Sequence, residues 1–306
     1  MGHADGAVAQ RRRTPSRLND WPALRQADAH DAAARLPFVL NGVRVGSVAR
    51  AHLQPLRALG LQVDAAQLSL QVAPGVLDAT LARINGELRR QGLILAWRDE
   101  PFAIFDPARG TRLGTMERAA ARFWGTLTLG AHANGYVAAA MGRPTHLWIA
   151  QRSFTKATDP GKHDNLIGGG VPDGQSPLQA LVREGWEEAG LVPAQMQPAQ
   201  PGSVLALKRD IPEGLQHEWL YVFDLPLPAG RKPHNQDGEV AAFECLPLAD
   251  ALRLAAGTTM TVDAALVTLD FALRRGLLAA PQRQPFEARW RALCITAPIP
   301  AAVQSP

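Results

Sequence analysis

The segment from Gly169 to Leu191, GGVPDGQSPLQALVREGWEEAGL, constrains this chain more than any other. It predicts a helix with both ends written into the sequence. Ser176 is a favourable N-cap, Pro177 suits the first helical position, and Gln179 completes a capping box with Ser176. Gly190 stands just past the end, where left-handed backbone is needed. At about 100° per residue, Glu184, Glu187 and Glu188 fall within an arc of roughly 100°. Leu178, Val182, Trp186 and Ala189 lie on the other side and are expected to form the buried stripe, with Leu181 nearer its boundary. Like charges at this spacing repel by a few tenths of a kcal/mol per pair. A divalent cation would reverse that sign, because hard cations take carboxylate oxygens. An acidic solvent-facing stripe is the ordinary alternative. What separates the two is the frame: a Gly-Gly pair before the helix, Arg183 beside Glu184, and Gly190-Leu191 at the exit.

The gross properties exclude several classes. With 306 residues, the chain can form two modest domains or one large one. Its formal charge of +4 is slight for that length, and Arg11-Arg12-Arg13 is its longest basic run. That triplet sits in a Pro-, Ser- and Gln-containing stretch that reads as a solvated tail, so a nucleic-acid polymer is not the expected partner. Cys245 and Cys294 stand far apart with no metal-like spacing, which fits a reduced, cytoplasmic setting. The amino terminus has no apolar signal core, and no apolar run nears the ~20 residues that span a bilayer.

Residues 1–35 are expected to be a disordered tail, with at most a short helix in the Ala-rich part. Ordered chain is expected from Pro37, with a hairpin around Asn41-Gly42. A helix through Ala51 to Leu59 and a β-like segment near Leu68 to Val72 follow. Leu77, Leu81, Ile84 and Leu88 then mark a helix to about Gln91. Leu93–Trp97 and Phe102–Phe105 read as a strand pair. Together they make a small α+β unit over residues 36–117. Residues 118–285 form a second unit, and 286–306 an extension. Beyond the acidic helix, strands are expected near 204–209, 218–224 and 240–245, and helices near 248–256 and 262–275.

The acidic segment resembles the Nudix box, G-x5-E-x7-R-E-U-x-E-E-x-G-U, where U is bulky and apolar. Gly169, Arg183, Glu184, Glu187, Glu188, Gly190 and Leu191 match in register. Gln175 stands where the pattern has its first Glu, and Gly185 where it has its first bulky residue. Other segments resemble one Nudix branch: Trp97–Glu100, Glu117–Ala120, His132-x-Asn134-Gly135-Tyr136, Arg152–Lys156, Asp159–Asn165 and Leu269-Asp270-Phe271. That branch carries an extra N-terminal domain and is related to the Nudix domain of fungal thiamine pyrophosphokinase. The resemblance implies a Nudix α/β/α sandwich with a mixed sheet, preceded by a small α+β domain. It also implies metal-dependent hydrolysis of a diphosphate, with Mg²⁺ or Mn²⁺ as the ion. The substrate it suggests is thiamine diphosphate or its oxidised analogues, released as the monophosphate.

On that resemblance, Glu187 and Glu188 are the leading metal ligands. Glu184 is a further ligand or the base, and the Gly168 carbonyl is a backbone ligand. Glu239 matches a further acid recruited from a later loop. Arg183 orients Glu184 and Glu187, being four residues before the latter. Lys156, Lys162 and His163 are candidates for phosphate contact, and Asp164 and Asn165 for shaping the pocket. Trp97, Trp124, Trp148 and Trp219 could stack on a heteroaromatic ring, although core packing is the default for such residues. Two alternatives stay open: a hydrolase of oxidised nucleoside diphosphates or other nucleotide derivatives, and a non-catalytic ligand-binding module. For the N-terminal unit, substrate specificity and homodimer contact both stay open.

Overall fold

The computed structural model of the chain describes residues 21–73 and 75–296, so the Arg11–Arg13 triplet and the last ten residues lie outside the described residues. The chain begins with α1 (Pro22–Gln26), β1 (Arg35–Leu40), β2 (Val43–Ala49), α2 (Leu53–Ala58), β3 (Gln62–Val63), β4 (Leu68–Leu70) and α3 (Leu77–Arg90). It continues through β5 (Pro101–Asp106), β6 (Thr111–Glu117), α4 (Arg118–Trp124), β7 (Thr128–Ala138), β8 (Pro144–Arg152), β9 (His163–Asp164) and β10 (Ile167–Gly170). The acidic helix is α5 (Pro177–Ala189), followed by α6 (Pro193–Met196), β11 (Gln200–Ile211), β12 (Gly214–Pro226) and β13 (Val240–Pro247). The last helices are α7 (Leu248–Ala255), α8 (Val262–Arg274) and α9 (Ala280–Leu293).

A mixed sheet organises the second half. Its strands run β11-β12-β7-β8-β13, with β10 also paired to β7 and β9 to β8. Only β12 and β7 are parallel; the other pairs are antiparallel. Period-two alternation sorts the side chains of β7. Leu129, Ala131 and Ala133 join the core beneath α5, and Tyr136 joins the core beneath α8. The sheet thus lies between α5 on one face and α7, α8 and α9 on the other, the expected sandwich. Among the described residues, no helix is long and apolar enough to cross a membrane.

The N-terminal unit has a small sheet, β2-β1-β4-β3, covered by α3. Residues 93–97 are not a strand; β5 pairs with β6 instead. The turn between them is closed locally, because the Asp106 carboxylate accepts from the Ala108 N–H at 2.9 Å. Strand β5 also ties the two units together. Its Ile104 enters the N-terminal core, while Ala103 and Phe105 enter the core beneath α5. The boundary expected at residue 117 therefore runs through a shared hydrophobic layer.

Two segments expected at the periphery belong to the core. Residues 21–34 were grouped with a disordered tail, yet Trp21, Ala23, Leu24 and Ala27 are buried with α8. The Trp21 indole N–H donates to the Ala265 carbonyl at 3.1 Å, and its ring meets Phe286 of α9 edge-on at 5.8 Å. Trp21, Leu24 and Ala27 recur every three residues, but a helix this short is ordered by its contacts. These are the groove between α8 and α9, and β11, whose Lys208 N–H donates to the Ala27 carbonyl at 2.7 Å and whose Asp210 N–H donates to the Ala29 carbonyl at 3.0 Å. Likewise the extension expected from residue 286 starts inside α9, which buries Phe286 and Leu293.

Replacing Trp21 with Ala removes a fully buried indole and its hydrogen bond to Ala265, and should cost about 3–5 kcal/mol in urea unfolding. A second expectation concerns His217 on β12. Burial first, and then Lys208, pull its pKa down to about 4. The folded pKa lies below the unfolded value near 6.5, so this contribution is intact above about pH 6.5. It is lost as the pH falls toward 4, by about 3 kcal/mol. His217→Gln should flatten that part of the pH–stability curve.

Candidate active site

Helix α5 forms as its sequence dictates. The Ser176 hydroxyl accepts from the Gln179 N–H at 3.2 Å, and Gln179 Oε1 accepts from the Ser176 N–H at 2.8 Å. Gly190 ends the helix in the left-handed region at φ 63°. The rotation of the helix, however, differs from the amphipathic reading. Its buried residues are Pro177, Ala180, Leu181, Gly185, Glu188 and Ala189, whereas Leu178 and Trp186 are each 48% exposed. The carboxylate side is turned inward because small residues there permit close approach. A side chain at Gly185 would meet Met196 and Ile167, with a Cβ only 2.8 Å from the Met196 sulfur. This explains the absence of a bulky residue at that position.

The strand β10 beneath α5 has three successive glycines, each facing a different neighbour. A Cβ on Gly168 would lie 2.6 Å from the His132 ring, one on Gly169 2.2 Å from Glu184 Oε1, and one on Gly170 2.5 Å from the Phe102 ring. Glu184 thus rests against bare backbone. Arg183 holds it from the other side, donating to Glu184 Oε1 at 2.8 Å and to Glu187 Oε2 at 2.6 Å. Gln175, the departure from the box, sits 3.5 Å from Arg183 Nε and so joins the same group.

Glu188 is buried. Its Oε2 accepts from the Gly168 N–H at 2.9 Å, and Lys156 Nζ lies 3.5 Å from its Oε1. The same ammonium is 2.6 Å from Glu239 Oε2, and Arg98 of the N-terminal unit reaches Glu239 Oε1 at 3.1 Å. Burial pushes the Glu188 carboxyl up to about 8 against the opposing pull of Lys156. Burial also raises Glu184, with Arg183 opposing it. Glu239 goes the other way: burial would raise it, but Lys156 and Arg98 outweigh burial and hold it below its usual range.

These contacts bear on a metal. The available donors are carboxylate oxygens, which suit a hard divalent cation. A buried, costly carboxylate such as Glu188 gains most from a nearby positive charge. Among the described residues, no three acidic, histidine or cysteine side chains form a ready-made cage. Lys156 bridges Glu188 and Glu239, and Arg183 bridges Glu184 and Glu187, so the side chains must rearrange to share an ion.

A cleft of about 130 Å³ opens between the Gly168–Gly170 strand beneath α5 and the N-terminal unit. Gly168, Glu184, Glu239 and Lys156 border it. Glu188 lies beneath Lys156, and Glu187 is on the outer side with Arg183. Two expected substrate residues do not face it. Asn165 is 2% exposed and spans the core, bonded to His132 Nδ1 at 3.0 Å and to Thr268 at 3.3 Å. Lys162 pairs with Asp159 at 2.6 Å and is not on the cleft wall. None of the four candidate tryptophans lines the cleft; Trp124, for example, is buried in the N-terminal core against Phe38. The rings that do line it are those of Phe102 and His132.

Other residues of the cleft were not foreseen as site residues. Arg98 and Arg118 belong to segments recognised by resemblance without a role, and Phe102 belonged to an expected strand. At one end, the Gln216 amide donates to Glu218 at 2.7 Å and to both Asp263 oxygens at 3.1 and 3.0 Å. Burial first, and then Asp263, raise the Glu218 carboxyl. No local motif marks this group, because β12 and α8 bring it together across the fold.

The chain is similar to several known proteins. A NUDIX domain family model matches residues 132–264. Nudix hydrolase 24, chloroplastic, of Arabidopsis thaliana is 31% identical over 251 residues, covering 79% of this chain and 68% of that protein. Nudix hydrolase 20, chloroplastic, of the same plant is 36% identical over 202 residues, covering 65% of this chain and 52% of that protein. Among solved structures, DR0079 from Deinococcus radiodurans aligns over 56% of this chain and 99% of its own, with 23% identity and a TM-score of 0.43.

The packing of Gly169 against Glu184 generates a direct test. Gly169→Ala places a methyl where the Glu184 carboxylate lies, so that carboxylate must move. Mn²⁺ binding followed by electron paramagnetic resonance should weaken at least about tenfold, while the thermal midpoint shifts by only a few degrees. Unchanged Mn²⁺ affinity would remove Glu184 from the ligand set.

Proposed function

This chain belongs to the Nudix hydrolase family, and from that premise we propose that it hydrolyses the phosphoanhydride bond of a small organic diphosphate with Mg²⁺ or Mn²⁺. The observation that carries this reading is Glu184, lodged on the bare backbone of Gly169 and held by Arg183 at the wall of a deep cleft. Glu187, Glu188, Glu239 and the Gly168 carbonyl are the groups that would hold the ion, with Glu184 as a further ligand or the base. When bound, the divalent cation offsets the charge of the diphosphate oxygens that otherwise repel an attacking water.

The chain's own groups supply the rest. Arg183 pairs with both Glu184 and Glu187, which keeps the two carboxylates together on one side of α5 while they turn toward the ion. As the base, Glu184 accepts the proton of the attacking water at a carboxylate oxygen. Its burial favours the neutral form after transfer. Lys156, released from Glu188, is placed to meet a phosphate oxygen as a point charge.

For the organic part, thiamine diphosphate and its oxidised analogues are the leading substrates. The Gln216–Glu218–Asp263 end of the cleft supports this, since a carboxylate-lined pocket suits a ring that is cationic or carries an amino donor. An oxidised nucleoside diphosphate is the competing substrate. The test is phosphate release from both sets of compounds with Mg²⁺ or Mn²⁺, using the wild type, Glu184→Gln and Glu188→Gln. Wild-type turnover should fall at least about a hundredfold in each variant. No release from any compound, or equal rates in the variants, would overturn the catalytic reading, and faster release from the nucleotides would overturn the substrate.

A further inference from the structure

The N-terminal unit contributes more to the cleft than a packing surface. Five cations line it: Arg98, Arg118, Arg122, Arg152 and Lys156. Three are paired with carboxylates that line the same cleft. Arg98 and Lys156 share Glu239, and Arg152 meets Asp164 at 2.8 Å. Their charge is largely spent within the cavity.

Arg118 and Arg122 differ. Both lie on α4, which starts just past the boundary expected at residue 117 but buries Ala119, Ala120, Ala121, Phe123 and Trp124 in the N-terminal core and so belongs to that unit. Four residues apart, they share one face. Arg118 Nη1 is 2.9 Å from Glu100, and Arg122 Nη1 is 3.9 Å from Glu213, but neither acid lines the cleft. These two ion pairs steady the side chains from outside the cleft, while across it Arg118 acts on Glu184 and Glu218, and Arg122 on Glu218, through space without a direct ion pair. The Arg118 guanidinium carbon is 5.5 Å from the Phe102 ring centre and 3.6 Å from where a Gly170 Cβ would stand. This places it beside the Gly loop that supports Glu184. Arg122 also reaches Thr158 of the cleft wall at 3.3 Å. Each guanidinium has five donors, more than these contacts use.

We infer that Arg118 and Arg122 grip the anionic end of the ligand, so that the N-terminal unit supplies the phosphate-binding wall of a cleft whose carboxylates come from α5. The inference rests on reading the cleft as a diphosphate site. Planar guanidinium groups match pairs of phosphoryl oxygens and would hold the diphosphate against the Glu184 side. A chain without the N-terminal unit would keep the acidic helix and lose this grip.

The experiment is calorimetric binding of methylenediphosphonate, which cannot be hydrolysed, to the full chain. The wild type should bind, and Arg118→Gln and Arg122→Gln should each weaken binding about tenfold or more, with Arg118→Lys recovering part of the loss. Glu100→Gln keeps Arg118 and removes its rear counter-ion, so it should bind as tightly as the wild type or tighter. Failure of the wild type to bind, or wild-type affinity in both glutamine variants, would overturn the inference. So would equal weakening by Glu100→Gln and Arg118→Gln, because the ion pair would then be merely structural. Binding lost in the arginine variants of a protein that releases no phosphate would uphold this wall while the catalytic reading fell. Normal turnover with unaltered binding in the variants would do the reverse.

Discussion

Everything at the candidate site depends on one close approach, that of α5 to the bare backbone of Gly168–Gly170. Protein interiors have no slack at the scale of a methyl group, so a strand that touches a helix carboxylate, a histidine ring and a phenylalanine ring must lack side chains at all three positions. Ala180 and Gly185 serve the same approach from the helix side. The result is a pair of carboxylates, Glu184 and Glu188, taken out of water by the fold and balanced by Arg183 and Lys156. Such groups are costly unless paired, which makes the site receptive to added positive charge.

The same strand joins the two units. Phe102 fills the space above Gly170, and its neighbours on β5 contribute to both cores. Movement of the N-terminal unit would therefore disturb the Gly loop and the cleft together. Arg98, Arg118 and Arg122 are delivered to the cleft by that shared packing and by the short helix α4, whose Glu117 side chain caps its own first turn. The N-terminal unit is in this sense a wall of the cavity.

Much of the local structure was legible because it is local. The capping box of α5, its glycine stop, the amphipathic repeat of α3 and the Asn-Gly hairpin are each specified within a few residues. The misreadings share a cause in long-range packing. Leu178 and Trp186 are apolar and on one side of α5, yet exposed, because the opposite side found a partner in β10. Asn165 adjoins a polar loop in sequence, yet it spans β7 and α8 within the core. Trp21 lies in a segment too short to hold as a helix alone, and it is ordered by α8, α9 and β11 from the far half of the chain.

The sequence by itself determined the reaction-bearing helix, its three carboxylates, its orienting arginine and the family frame, since these depend on spacing along about twenty residues. Only the tertiary structure decided which carboxylates face inward and which cations meet them. It also decided that the cleft is walled by residues from both units. Those outcomes depend on burial and on the direction of side chains across contacts between distant segments, and spacing along a chain carries no record of either.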